Sequence, residues 1–306
     1  DAATNAVTQV DFDIEIKALD ISAYTAKLFI ESLILEQRLQ LAELAEQQAD
    51  SALSAIRRRV EAGKSLSIEQ LQSKAELVRR SLEVEDLEHE LEASRYQLVA
   101  QWGGEVNDYV PQGELLNVPV VKDLPSQLAK LQAHPALLAF ANKQRIAQSQ
   151  IELARIEARP KWQVSAGIRR YEATDDYGLV AGISIPFGND SRSLGEVQVI
   201  QAQQAEYQSQ ADVLARKLNT QLFVLLQNMK HSKHVIDTLT EQVIPLLEKA
   251  TEEASKAYDI GRLGYLEWTS IRQELLSTQA QLLDAYQAIH LQHIEIQRLT
   301  GTSLSN

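Results

Sequence analysis

The chain has 306 residues, a formal net charge of −12 and an apolar fraction of 44%. That acidity argues against nucleic acid as the main partner, because phosphate neutralisation needs clustered Lys and Arg. The lack of cysteine excludes disulfides, thiolate metal sites and thiol nucleophiles.

Sparse Gly (12), Pro (7) and aromatics (6%) in a Leu-, Ala-, Glu- and Gln-rich chain point to long helices. No apolar run reaches the roughly 18 residues of a transmembrane helix. The chain opens without a secretory leader, as expected of a mature or trimmed sequence. In its first segment two periodicities compete. Val10, Phe12, Ile14 and Ile16 alternate with Asp11, Asp13, Glu15 and Lys17 as in a strand. Val7, Val10, Ile14, Ile21, Tyr24, Leu28, Leu35 and Ala42 instead keep a heptad spacing. An internal repeat decides for helix. Val60–Lys64 matches Tyr258–Arg262 at an offset of about 198 positions, Glu69 falls on Glu267, and Gly103 falls on Gly301. Residues 1–30 therefore map onto 199–228, which are plainly helical.

A helix is predicted over about 3–61, ended by Gly63. Ser65 or Ser67 is expected to cap a second helix with Glu69 and Gln70 in its first turn. It runs to about Gln101 and stops at Gly103–Gly104. Residues 105–133 read as a connecting segment, with Pro111, Gly113, Pro119 and Pro125, and a short helix after Pro125. His134–Pro135 opens a further helix to about Ala158.

The one convincing β signal follows. Trp162, Val164, Ala166 and Ile168 alternate with Gln163, Ser165, Gly167 and Arg169. Beyond a turn at Ala173–Asp176, Leu179, Ala181, Ile183, Ile185 and Phe187 alternate with Val180, Gly182, Ser184 and Pro186. Strands of about ten residues match the length that crosses a bilayer, and Trp162, Phe187, Tyr171 and Tyr177 sit at their ends like a membrane girdle. The same pattern also suits a soluble hairpin with one buried face. A lone two-stranded hairpin is not independently stable, so other chains or further sequence must complete it.

After Gly188–Asp190 a helix is predicted over about 195–258. Its stripe is Leu214, Leu218, Leu222, Leu225, Met229, Ile236, Leu239, Val243 and Leu246, and Pro245 is expected to bend it. A turn at Gly261–Gly264 leads to a final helix over 264–300. The helix before the strands plus this last one roughly equal the long helix between them. The prediction is a mostly α, rod-like coiled-coil bundle about 90–100 Å long, built from repeated antiparallel hairpins, with a membrane-type β-hairpin at one end. The chain divides into a first helical hairpin (1–104), a connecting segment (105–133) and a second repeat (134–306) that carries the β-hairpin (160–187).

Chemistry-bearing patterns are few. His231 and His234, and His290 and His293, share helix faces, but two imidazoles are an incomplete metal site and solvated histidines look the same. Glu83, Glu85, Asp86, Glu88, Glu90 and Glu92 circle a helix, as a solvated face or part of a negative tunnel wall. No nucleophile–base pairing or phosphate loop occurs. Neither an enzyme nor a cofactor or metal centre is expected.

The hairpin tips Arg59–Val–Glu–Ala–Gly63 and Ala257–Tyr–Asp–Ile–Gly261 come together with His134–Pro135, Pro160, Ile183–Ser–Ile–Pro186 and the closing Arg298–Leu–Thr–Gly301. In that order they resemble the outer membrane efflux protein family, the TolC-like outlet ducts of Gram-negative bacteria. The resemblance covers essentially the whole chain. His134–Pro135 and the acidic helices are reminiscent of its heavy-metal efflux branch.

The resemblance implies a homotrimer whose protomers each give four strands to a twelve-stranded barrel in outer-membrane lipid, continued by a periplasmic helical tunnel. This chain carries one hairpin, six strands in a trimer, so an N-terminally truncated sequence is expected. The implied function is the exit duct of a tripartite efflux or type I secretion system, fed by an inner-membrane pump through a periplasmic adaptor. Glu267 matches an acidic residue ringing the closed tunnel mouth; it also reads as an ordinary first-turn Glu. A second family acid matches Ser270. Tyr258 and Glu69 match a pair that ties neighbouring helices, a phenol–carboxylate latch, and a family Arg matches Leu263, with Arg262 adjacent. Gly63, Lys64, Ser65, Gly261, Leu263 and Gly264 are the tips that would meet the adaptor. The rival reading is a periplasmic adaptor or coiled-coil scaffold. An adaptor should carry lipoyl-like and small barrel domains around one hairpin, whereas this chain has two hairpins and a lipid-patterned strand pair.

Overall fold

The computed structural model describes residues 2–105, 110–159, 162–173, 175–185 and 193–302. The helices are α1 (Ala2–Glu61), α2 (Ser67–Val99), α3 (Leu124–Leu131), α4 (Pro135–Glu157), α5 (Leu194–Thr238), α6 (Ile244–Asp259) and α7 (Tyr265–Thr300), and two strands, β1 (Gln163–Tyr171) and β2 (Asp176–Ser184), lie between α4 and α5. The heptad spacing wins over the alternation at Val10–Lys17, and α1 is helical from its start.

The repeat holds at the four terminal glycines, although α2 ends at Val99, three residues before the position that matches Thr300 of α7. Gly63, Gly103, Gly261 and Gly301 all take positive φ, between 61° and 74°. Gly63 N–H donates to the Val60 carbonyl and Lys64 N–H to that of Arg59; Gly261 N–H donates to Tyr258 and Arg262 N–H to Ala257. This double bond pattern closes a helix only when the residue past its end is left-handed, the conformation glycine adopts without a Cβ clash.

Two local expectations change, and the start of α4 is as expected. The residue at the start of α2 is Leu66, which offers no side-chain cap; the Ser65 hydroxyl instead accepts a hydrogen bond from Arg59 Nε at 3.1 Å. At α4 the cap is His134, whose Nδ1 accepts from Ala136 N–H at 3.1 Å. The long helix expected over 195–258 is interrupted by a π-helical turn, Leu239–Val243. There the Ile244 N–H reaches back five residues to the Leu239 carbonyl. The wider turn precedes Pro245, which has no N–H to give to a normal helical ladder. The apolar stripe changes with it. Leu218, Leu222, Leu226, Met229 and Ile236 are buried, Leu225 is only half-buried, and Leu246 beyond the turn is 66% exposed.

Packing divides the chain into two compact units, Asp1–Lys17 with Gln132–Leu218, and Ala18–Leu131 with Asn219–Asn306. In the first, α4 and the start of α5 bury Ala147, Ile151, Ala154, Val197 and Ile200 against one another. The buried Asn142 amide on α4 donates to the Asn5 carbonyl (2.7 Å) and to Gln9 Oε1 (3.3 Å), tying α4 to the first turns of α1. The strands pair antiparallel, with Val164 opposite Ile183, Ala166 opposite Ala181 and Ile168 opposite Leu179.

In the second unit, α1, α2 and α7 bury Ile34, Ile56, Leu98, Val99, Ile289 and Leu299. Ion pairs join α1 to α7 at Lys27–Glu295 (2.9 Å), Arg298–Asp20 (3.0 Å) and Arg38–Asp284 (2.6 Å). The connecting segment is pinned where His290 Nε2 meets the Leu115 carbonyl at 2.7 Å. No helix among the described residues is long and apolar enough to cross a membrane.

Candidate functional site

Both hairpin tips lie in the second unit, and they pack on each other. Ala52 and Ile56 from α1, Ala254 and Tyr258 from α6, and Tyr265 and Trp268 from α7 form one buried cluster, with Val60, Leu263 and Ile271 against it. The Tyr258 and Trp268 rings stack, 4.6 Å between centroids and 2° from parallel. Tyr265 tilts against both. Burial pushes the Tyr265 phenol up and the Arg272 guanidinium down from their ordinary values. Above the cluster, two open grooves of about 640 and 680 Å³ run between α2 and α7 over the small residues Ala42, Ala45, Ala49 and Ala52 of α1.

The expected gate residues fall close together but do not all touch. Glu267 is exposed, and its Oε2 accepts the Gly264 N–H at 3.1 Å, the first-turn role open to it from its position. Tyr258 is 4% exposed, and its hydroxyl has no hydrogen-bond partner among the described residues. Glu69, half-buried in the first turn of α2, is therefore not joined to it within the chain. Arg262 is exposed at the tip. Gly63, Lys64, Gly261 and Gly264 are exposed, while Ser65 and Leu263 are half-buried, Ser65 on Arg59 and Leu263 on the cluster.

Arg59, Trp268 and Arg272 carry more of this site than their sequence positions announced. Arg59 donates to the carbonyls of Tyr258 (3.2 Å) and Asp259 (3.1 Å), and its guanidinium lies 4.6 Å from the Tyr258 ring centroid. Arg272 lies 5.0 Å from the Trp268 centroid. The available signal was the run of Tyr258, Tyr265 and Trp268 around the second tip of an aromatic-poor chain. In the first copy Tyr258 and Trp268 fall on Val60 and Gln70, so the repeat itself hid them.

At the strands, Trp162, Val164, Ala166, Ile168, Tyr177, Leu179, Ala181 and Ile183 share one face by register. Leu179 is 90% exposed and Val164 77%. Trp162 and Tyr177 mark the two ends of this face. Tyr171 projects from the opposite, small-and-polar face, and its ring covers Gly178, where a Cβ would sit 3.1 Å from it. Phe187, Pro160 and Pro186 lie outside the described residues. Among the described residues no three His, Asp or Glu side chains converge as metal ligands. His290 and His293 are held below the usual imidazole range, chiefly by burial.

Helical hairpins in pseudo-repeat with an exposed aliphatic β-ribbon define the fold of a TolC-like outer-membrane channel protomer. Solved channels share it along this whole chain. CusC, whose structures follow transmembrane channel formation, matches with a TM-score of 0.85 at 16% identity, over 99% of this chain and 73% of that one. The outer-membrane channel OprN gives 0.81 at 14%, over 99% and 70%. The outer membrane protein VceC of Vibrio cholerae gives 0.81 at 16%, over 99% and 75%. The cobalt-zinc-cadmium resistance protein CzcC of Cupriavidus metallidurans is 25% identical over 286 residues, 92% of this chain and 68% of that protein. No family model matches the chain. The resemblance to the outer membrane efflux proteins drawn from the sequence holds over nearly its full length.

Proposed function

We propose that this chain belongs to the outer-membrane exit duct of a tripartite efflux system, with its helices in the periplasm and its β-ribbon in lipid. The cargo is divalent transition-metal cations. The observation that carries the duct reading is the joining, in one chain, of duplicated helical tips with a ribbon whose aliphatic face is turned outward and left bare. That combination suits a channel wall, and the channel relatives support it over the adaptor or scaffold. The metal cargo rests on the similarity to CzcC and on the acidic character of the chain. The protein works as a homotrimer, with the tips around Gly63–Ser65 and Gly261–Gly264 meeting a periplasmic adaptor that couples it to an inner-membrane pump. It carries cargo without chemistry.

The full-length protein in planar bilayers should give discrete conductance steps, and deleting its gene should lower the host's tolerance of zinc, cobalt or cadmium. A preparation that never conducts, or a deletion without effect on metal tolerance, would defeat the reading. In a trimer, three Glu267 carboxylates near the axis attract and hold cations. Glu267→Ala should therefore weaken divalent-cation block of the pore several-fold; unchanged block would remove Glu267 from the gate.

A further inference from the structure

The stacked pair at the second tip is bracketed by arginines. Rings 4.6 Å apart and 2° from parallel leave no room for a third flat group between them. The guanidiniums of Arg59, 4.6 Å from Tyr258, and Arg272, 5.0 Å from Trp268, therefore occupy the outer faces. The result is a ladder of four planar groups, Arg59–Tyr258–Trp268–Arg272, running from α1 through α6 to α7. Each arginine puts a cation on a π face, which ring quadrupoles favour, and parallel rings 4.6 Å apart are offset, the stacking that those quadrupoles prefer to a direct sandwich.

Arg59 does more than stack. Its Nη1 donates to the Tyr258 and Asp259 carbonyls at the end of α6, where the negative end of the helix dipole lies. Its Nε holds Ser65 in the first tip. At the far end, Arg272 Nη2 reaches Gln48 on α1 at 3.3 Å. The ring polar atoms contribute nothing comparable: the Tyr258 hydroxyl and the Trp268 Nε1 are buried without hydrogen-bond partners among the described residues. The faces of these rings, and not their edges, make the junction.

We propose that Arg59 is a positioning residue of the gate, holding the second hairpin tip against the first in the resting state. An outward movement of α6 and α7 as one hairpin keeps the Tyr258–Trp268 pair intact and breaks the junction at Arg59 and at Arg272–Gln48. The gating role rests on the duct reading; the clamp itself does not. Only arginine supplies both a flat cation and a donor fork, so Arg59→Lys keeps the charge and loses the clamp.

The test uses the full-length trimer. These 306 residues contribute no cysteine; with any cysteine elsewhere in the full-length protein replaced by serine, Glu61→Cys and Leu266→Cys carry a spin-label pair across the tips, in labelled protomers diluted with unlabelled ones. In Arg59→Lys the tip distance should lengthen and broaden. The open-to-closed ratio in bilayers should rise roughly fivefold, equivalent to about 1 kcal/mol. Tyr258→Leu, which removes the same junction, should add little on the Arg59→Lys background, and Trp268→Phe should preserve the native distance. An unchanged tip distance in Arg59→Lys overturns the clamp. A changed distance with unchanged gating overturns the gate role alone. A wild-type protein that never conducts sinks the duct reading instead, while the label distances still decide the clamp.

Discussion

The Ser32 hydroxyl on α1 is fully buried and meets that of Ser94 on α2 at 2.7 Å, the kind of contact that sets how two helices are seated. Neither side chain has water to fall back on, so removing one strands the other. Ser32→Ala should destabilise the protein by about 1–3 kcal/mol in denaturant unfolding, and the Ser32→Ala, Ser94→Ala double variant by clearly less. A double variant as costly as the single one would show that packing, and not the hydroxyl pair, matters there. At this scale the sequence was least informative. Ser65 reads as a helix cap, yet its hydroxyl serves Arg59; Tyr258 reads as a hydrogen-bonding latch, yet its ring face is what is engaged. Both are decided by what lies across a tertiary contact, which local spacing does not encode.

Among the elements, the β-ribbon was the most legible, because a period of two fixes faces once pairing is antiparallel. The face carrying Val164, Ile168, Leu179 and Ile183 came directly from alternation. Tyr171 shows the limit: near the turn it keeps strand parity, which puts it on the other face, over Gly178. A charge on the aliphatic face has no favourable place in lipid. If the ribbon faces lipid as proposed, Leu179→Arg near the bilayer midplane should cost about 2–4 kcal/mol, read as lost yield of the full-length protein in the outer-membrane fraction. Ser165→Arg, on the opposite face, should cost much less. Equal losses from both would contradict a lipid-facing ribbon.

For the whole molecule, the repeat carried the reading, since matching glycines at both hairpin tips and both hairpin ends placed four helix ends at once. The ion pairs between α1 and α7 and the pinning of the connecting segment by His290 are invisible to such matching. That segment makes stability depend on pH. Burial holds both imidazoles below the ordinary imidazole value, against the pull of the Leu115 carbonyl on His290, and the charges of His290 and Lys122 add to it at His293. The folded protein thus resists protons that the unfolded chain accepts. Stability is full above about 6.5 and should fall as the pH is lowered through and below it. The urea midpoint should drop between pH 7 and pH 5.5, and a His290→Gln, His293→Gln variant should lose much of that drop. An identical slope in the variant would assign the effect to other groups.

The π-helical turn at Leu239–Val243 also reaches beyond its own bonds. Making room for one more residue in a single turn rotates everything after it by about 100° relative to an unbroken helix. In the first copy the matching residues, 41–45, run through without such a turn. Two stretches equal in residue count therefore point their side chains in different directions, and Leu246 emerges into the open instead of continuing the seam. The slip of phase gives matching positions beyond the turn different surroundings in the two copies, so a substitution there is expected to act differently in each.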